Sequence, residues 1–231
     1  MASIIDSLRN IVGDSAPFVK ICFIAVFLFI SYDVWGVDTI PILAKFSIWA
    51  VSFLYFWGYI LLTIHNTINT ASVFMPNCFE FIQIFSGAFA SLSALSPICI
   101  IGYFVFQYLS TSLTFEPIVN NIITSTVMLI IFSIFSIQFL LFAKKYKIKD
   151  AYNIKAIFEF SGDVFLQTLK ILVFITLFTG IIGWSLGYIT YTLFGYGQVF
   201  CYYITAYIVF TIMLIVQYYS QLYFEYIDLG D

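Results

Sequence analysis

Charge is what this chain of 231 residues has least of. Asp, Glu, Lys and Arg make up 9% of it, beside 62% hydrophobic residues and a mean hydropathy of +1.03, whereas a soluble protein carries roughly 25% charged residues. So little polar surface cannot cover a water-facing globule, and a soluble domain is excluded. Also missing are the segments of about ten residues, alternating apolar and polar, from which a transmembrane β-barrel is built. Histidine is reduced to His65 alone, with no acid or cysteine placed at matching depth to complete a metal site or a proton relay. The four cysteines, Cys22, Cys78, Cys99 and Cys201, are isolated, form no CxxC, and read as apolar fillers. Walker A, HExxH and GxSxG motifs are absent, as are paired carboxylates at catalytic spacing. We therefore expect no enzymatic activity, no metal and no cofactor. No basic block interleaved with aromatics lies outside the apolar runs, so nucleic acid is not expected as a partner.

What the chain does have is long apolar runs. They predict an all-α polytopic transmembrane bundle filling one integral membrane domain over residues 1–231, with spans at about 17–35, 40–64, 87–109, 118–143, 164–191 and 199–222. The apolar run from Phe81 is read as a membrane-dipping or interfacial entry followed by the third span from about Gly87, kinked at Pro97, with both dipping and spanning left open for Phe81 to Ser96. Span three is rich in small residues, among them Gly87 and Ser91, that let helices approach closely, and is expected at the centre of the bundle. In span five, Gly180, Gly183 and Gly187 mark a second close contact, the last two forming a GxxxG. Tyrosines bracket span six as an interfacial belt would.

The net charge of −3 hides an asymmetry. Five of the nine basic residues, Lys144, Lys145, Lys147, Lys149 and Lys155, fall in the loop 144–163. The proposed outer loops 33–39, 110–117 and 192–198 contain no Lys or Arg. The positive-inside rule then puts the lysine loop and both termini in the cytoplasm, with Lys45 as the exception. The residue types around the loop predict contact with anionic headgroups of the lipid bilayer. Glu159, Asp163 and Gln167 recur every four residues, with Lys155 one turn earlier, and predict a solvated helix face or, alternatively, a polar track at the cytoplasmic mouth.

Two interfacial amphipathic helices are also expected. One lies near the N-terminus (residues 1–14, ending in Gly13-Asp14). The other precedes span five (Ala151 to Phe160, ending in Ser161-Gly162-Asp163), and the two could form a parallel repeat of elbows. Over Phe142 to Tyr226, the lysine-rich segment AKKYKIKDAYNIKAIFE, the helix pair after it and the tail YYSQLYFEY resemble a family of bacterial and archaeal polytopic membrane proteins carrying a domain of unknown function. That resemblance implies fold and location, and no activity or functional residue. The expectation is a non-enzymatic scaffold or subunit of an assembly in a bacterial inner membrane, binding other membrane proteins. The alternative is a permease or channel for a small neutral or weakly polar solute, whose path beside spans three and five would use Ser86, Ser91, Ser93 and Ser185.

Overall fold

Backbone N–H and C=O groups in hydrocarbon have no water to bond, so an apolar run crossing a bilayer must close its hydrogen bonds internally as helix. The computed structural model of the chain follows that rule throughout the residues it describes: 4–12, 15–70, 75–112 and 117–223. Its helices are α1 (Ile4–Val12), α2 (Ser15–Asp33), α3 (Ile42–Thr70), α4 (Phe81–Ser112), α5 (Pro117–Lys145), α6 (Ile148–Ala151), α7 (Ile154–Phe178), α8 (Trp184–Phe194) and α9 (Gln198–Leu222). A 3-10 turn, Val34–Gly36, follows α2, and a π-helical segment, Thr179–Gly183, joins α7 to α8. Among the described residues there is no strand, and six helical stretches are long and apolar enough to cross a membrane: Ala16–Gly36, Ile42–Asn69, Phe81–Ser112, Ile118–Lys145, Ile154–Phe194 and Gln198–Leu222. This is the all-α bundle of a multi-pass membrane protein.

The bundle is centred on α3, which packs against α2, α4, α5 and α9. Half of the apolar window of α3 and of α5 is buried, against 22% for α4, so the expectation that the third span sits at the centre is corrected. Five small residues of α4, Gly87, Ala88, Ser91, Ala94 and Gly102, are buried and face inward, while Ser86, Ser93 and Ser96 are exposed. Its other face carries exposed Phe89, Ile101, Tyr103, Phe104 and Tyr108. One small-residue face draws a helix close against one side of a bundle; a central position needs contact all round.

The contact between α3 and α4 is closest at Gly58, where the backbone carbonyl of Ile84 fills the place a β-carbon would take. Beside it, Trp57 Nε1 donates to Ser91 Oγ at 2.8 Å. Pro97 does not break α4. A proline lacks the N–H that would bond the carbonyl four residues back, here that of Ser93, and the Ser96 hydroxyl donates to that carbonyl at 3.3 Å. The Tyr152 hydroxyl bonds the next carbonyl, of Ala94, which ties the segment between α6 and α7 to the proline turn.

Several boundaries differ from expectation. No separate entry precedes Gly87, because α4 is one helix from Phe81 to Ser112. The second span runs on to Thr70, so His65, Asn66 and Asn69 lie on α3 and not in a loop. The stretch Ala151 to Phe160 is not a separate helix stopped by glycine. Positive φ among glycines is found at Gly195, not Gly162, and α7 continues through Ser161-Gly162-Asp163. Burial of Val164, Thr168 and Ile171, with α7 packed on α5, holds the helix on course past the glycine. The elbow repeat therefore loses its second member; its first, Gly13-Asp14, lies outside the described residues. The helical stretch Ile154–Phe194 has 41 residues, which at 1.5 Å each is roughly twice the ~30 Å of a hydrocarbon core. Its charged first turns thus have room to lie beyond that core. Near the N-terminus, α1 is amphipathic as expected; it packs against α9 and α2, burying Ser7 and Ile11 and exposing Ile5 and Val12.

At the far end of the bundle, α8 turns sharply into α9. Gly195 takes φ +68°, a left-handed conformation that favours glycine, and its N–H donates to the Tyr191 carbonyl at 2.7 Å. Lys45, the exception to the charge pattern, sits in the first turn of α3, and its Nζ donates to the Trp35 carbonyl at 3.0 Å. A lysine there closes the turn between α2 and α3.

Candidate functional site

A helix leaves its last carbonyls without partners, and at the lysine-bearing end of α5 they are met from α3. Nδ1 of His65 lies 2.6 Å from the Ala143 carbonyl. A carbonyl can only accept, so Nδ1 carries the proton and Nε2 is the acceptor in the neutral ring. Asn69 Nδ2 donates to the Lys144 carbonyl at 3.2 Å. The polar residues at the end of α3 thus cap a neighbouring helix.

The residue after α5, Tyr146, has φ +53°, a left-handed conformation that costs a non-glycine residue about 1–2 kcal/mol. Its ring packs on His65 at 4.5 Å between centroids and on Phe142 at 5.8 Å, which offsets that cost. Burial pushes the Tyr146 phenol up to about 12. Between α3 and α4 this arrangement leaves a cleft of about 450 Å³, lined by the polar His65, Asn66, Gln83 and Ser86, with Gly87 and Tyr146 in its wall.

A second cleft, of about 310 Å³, opens between the end of α5 and the start of α7. Lys144, Lys145, Lys155 and Asn153 line it together with Asp150 and Glu159. Lys144 Nζ lies 5.2 Å from the centre of the Tyr223 ring, a cation–π contact that fixes the end of α9 against α5. Asn153 caps α7, its Oδ1 accepting from the Ala156 N–H at 3.3 Å. Lys147 and Lys149 are exposed and do not line the cleft. Of the four residues expected on one solvated helix face, Lys155 and Glu159 line this cleft and Asp163 is exposed. Gln167 is turned inward, where its Oε1 accepts from the Tyr218 hydroxyl at 2.7 Å.

Deeper in the bundle the Tyr219 hydroxyl bonds the Thr168 hydroxyl, joining α9 to α7. On the other side of α3, the segment between α3 and α4 folds back into the bundle. Met75, Pro76 and Cys78 are buried, and their carbonyls accept hydrogen bonds from Lys20 Nζ (2.6 Å), the Tyr59 hydroxyl (3.0 Å) and the Tyr55 hydroxyl (2.8 Å) respectively.

The packing residues expected from sequence take different places. Gly87 lies against Leu61 and Tyr146, and Ser91 is buried and bonded to Trp57. Gly183 and Gly187 receive the rings of Tyr207 and Tyr203, while Gly180 has nothing within 4 Å of where a β-carbon would be. Pro97 lies inside α4. Sequence reasoning missed Gly58, whose contact is the tightest of these. The serines expected along a solute path do not converge. Ser86 lines the His65 cleft, Ser91 of α4 is buried against α3, and the hydroxyls of Ser93 and Ser185 bond the carbonyls of Ala90 and Ile181.

No family model matches the chain, nor does any curated protein or solved structure. The resemblance over Phe142 to Tyr226 has no family model behind it, and the class defined by the helices, a multi-pass membrane protein, is reached from the chain alone.

Proposed function

We propose that the chain is a non-enzymatic scaffold or subunit of a membrane assembly in a bacterial cytoplasmic membrane, with the lysine-bearing end and both termini in the cytosol. The observation that carries this reading is the exposure of the fifth span. Of its apolar window 12% is buried, the least of the six, and Leu177, Ile181, Trp184, Ile189 and Leu193 stand on its surface. A span held on so little of its circumference leaves a face open for a helix of another protein. Four of the hydroxyls within the spans point the same way: Thr63, Ser133, Thr168 and Ser220 bond carbonyls of their own helices, so these four line no polar path.

A photo-crosslinking residue placed at Leu177 or Ile189 in native membranes tests the proposal. Discrete protein adducts are expected there and not from Ile30, an equally exposed position on α2. Adducts to lipid alone at all three positions would overturn it. Sidedness is tested separately with a reporter fused after Asp231, which is expected to be active only as a cytosolic reporter.

A permease or channel for a small neutral or weakly polar solute is the second reading. The His65 cleft favours it, being about 450 Å³ in volume and free of charged side chains. Its route would run between α3 and α4, the second and third spans, and not beside the fifth. Uptake into vesicles that is lost in H65A and kept in S185A would support that route.

A further inference from the structure

We propose that the cleft between α5 and α7 seats the phosphate group of one anionic phospholipid headgroup, an inference that rests on the lysine-bearing end lying at a membrane surface. The five lysines of this region are not equivalent. Lys144, Lys145 and Lys155 line one cleft, while Lys147 and Lys149 point elsewhere. Diffuse attraction to an anionic surface needs no such division, and a discrete seat does.

The chemistry of the cleft selects its occupant. Three ammonium groups face two carboxylates, Asp150 and Glu159, leaving one positive charge for the single negative charge of a phosphodiester. The carboxylates are acceptors, and so suit a headgroup that carries hydroxyl donors, such as glycerol. Asn153 and Ala156, at the N-terminus of the 25-residue α7, also line the cleft, so the partial positive charge of that helix end adds to the field. A volume of about 310 Å³ lies at the lower end of the range for small-molecule sites, about 300–1,000 Å³.

A free phosphate would account for the lysines but not for what stands beside them. Ile154 is 67% exposed and Phe158 76%, one turn apart on the same helix as Lys155 and Glu159. These apolar side chains give acyl chains a surface to lie along while the phosphate stays among the ammonium groups. The occupant is therefore a lipid.

The test is equilibrium binding of a fluorescent phosphatidylglycerol to the full-length chain in neutral detergent, competed with unlabelled phosphatidylcholine, phosphatidylglycerol or inorganic phosphate. Saturable binding displaced by phosphatidylglycerol alone is expected. The double variant K145Q/K155Q should weaken it about twenty-five-fold, a factor of roughly five for each lysine at an anionic surface, and K145R/K155R should restore most of it. K147Q/K149Q should leave it unchanged. Circular dichroism and gel-filtration elution, expected to match the wild type, show that each variant is folded. Equal weakening by both glutamine pairs would overturn the discrete seat while leaving the cytosolic placement, which the reporter after Asp231 reads independently. Displacement by inorganic phosphate as effective as by the lipid would overturn the lipid assignment, and absence of saturable binding would overturn the seat itself.

Discussion

Replacing Gly58 with alanine is expected to unfold the centre of the bundle. A β-carbon built there lies 1.9 Å from the carbonyl oxygen of Ile84, 2.8 Å from its carbon and 3.1 Å from the β-carbon of Ala88. The first two are backbone atoms, which cannot rotate away, so the whole of α4 would have to retreat from α3. That retreat would also pull Ser91 from Trp57 Nε1 and Gly87 from Leu61, the contacts on either side of the crossing. Overpacking in a close-packed core costs about 1–3 kcal/mol and occasionally more; with backbone as the obstacle we expect at least the upper figure, a fall of about 10 °C in the unfolding midpoint for a chain of this length. Two other glycines grade the effect. In G183A the obstacle is the ring of Tyr207, 2.6 Å away; a side chain can swing, so the loss is smaller. In G162A nothing lies within 4 Å, and alanine in a helix interior is favoured over glycine by up to about 1 kcal/mol, so the midpoint holds or rises. Thermal unfolding in detergent, followed by tryptophan fluorescence, reads all three. Equal midpoints for G58A and G162A would show that α3 and α4 do not cross at this glycine.

The helices were legible because a chain in hydrocarbon must satisfy its own backbone, which makes apolar length almost equivalent to helix. Contacts between helices carry no such local signature. The GxxxG of Gly183 and Gly187 marked a close contact of one kind, glycines that receive tyrosine rings, but gave no sign of the closer one: Gly58, in the run FWGYI with no second glycine nearby, receives a backbone. The end of α3 was misplaced for a related reason. His65 and Asn69 look like loop residues until the end of α5 is known, because the carbonyls they cap, of Ala143 and Lys144, lie 78 and 75 residues away in sequence. The lysine cluster was visible at once, but its division into cleft and exterior depends on how α5, α6 and α7 meet. One missed feature did leave a trace. Tyr55 and Tyr59 stand one turn apart inside an apolar span, and two hydroxyls buried there need acceptors that the span's own backbone cannot all supply.

Those acceptors are the carbonyls of the buried segment before α4, and removing both hydroxyls should release it. Irregular backbone in a membrane protein persists only where each polar group is met. Here Tyr55 serves Cys78, Tyr59 serves Pro76 and Lys20 serves Met75. Y55F/Y59F keeps the ring packing and orphans two buried carbonyls, at about 1–3 kcal/mol each. Cys78 reports the result, since it is 5% exposed in the closed segment. Burial also raises its thiol pKa, with the hydroxyl of Tyr59 and the charge of Lys20 drawing it partly back. A raised pKa means that the fold favours the neutral thiol. The thiol's contribution to stability is therefore complete below the pKa of a free thiol and is lost as pH rises through the folded value. With Cys22, Cys99 and Cys201 changed to alanine, maleimide labelling of Cys78 should be slow at neutral pH and should accelerate only well into the alkaline range. In Y55F/Y59F labelling should be faster by on the order of a hundredfold, the population ratio corresponding to about 3 kcal/mol, and should follow the pH profile of a free thiol. Y59F alone should fall between the two. If the double variant labels at the wild-type rate, the tyrosines do not hold the segment, and its burial must come from Lys20 and apolar packing alone.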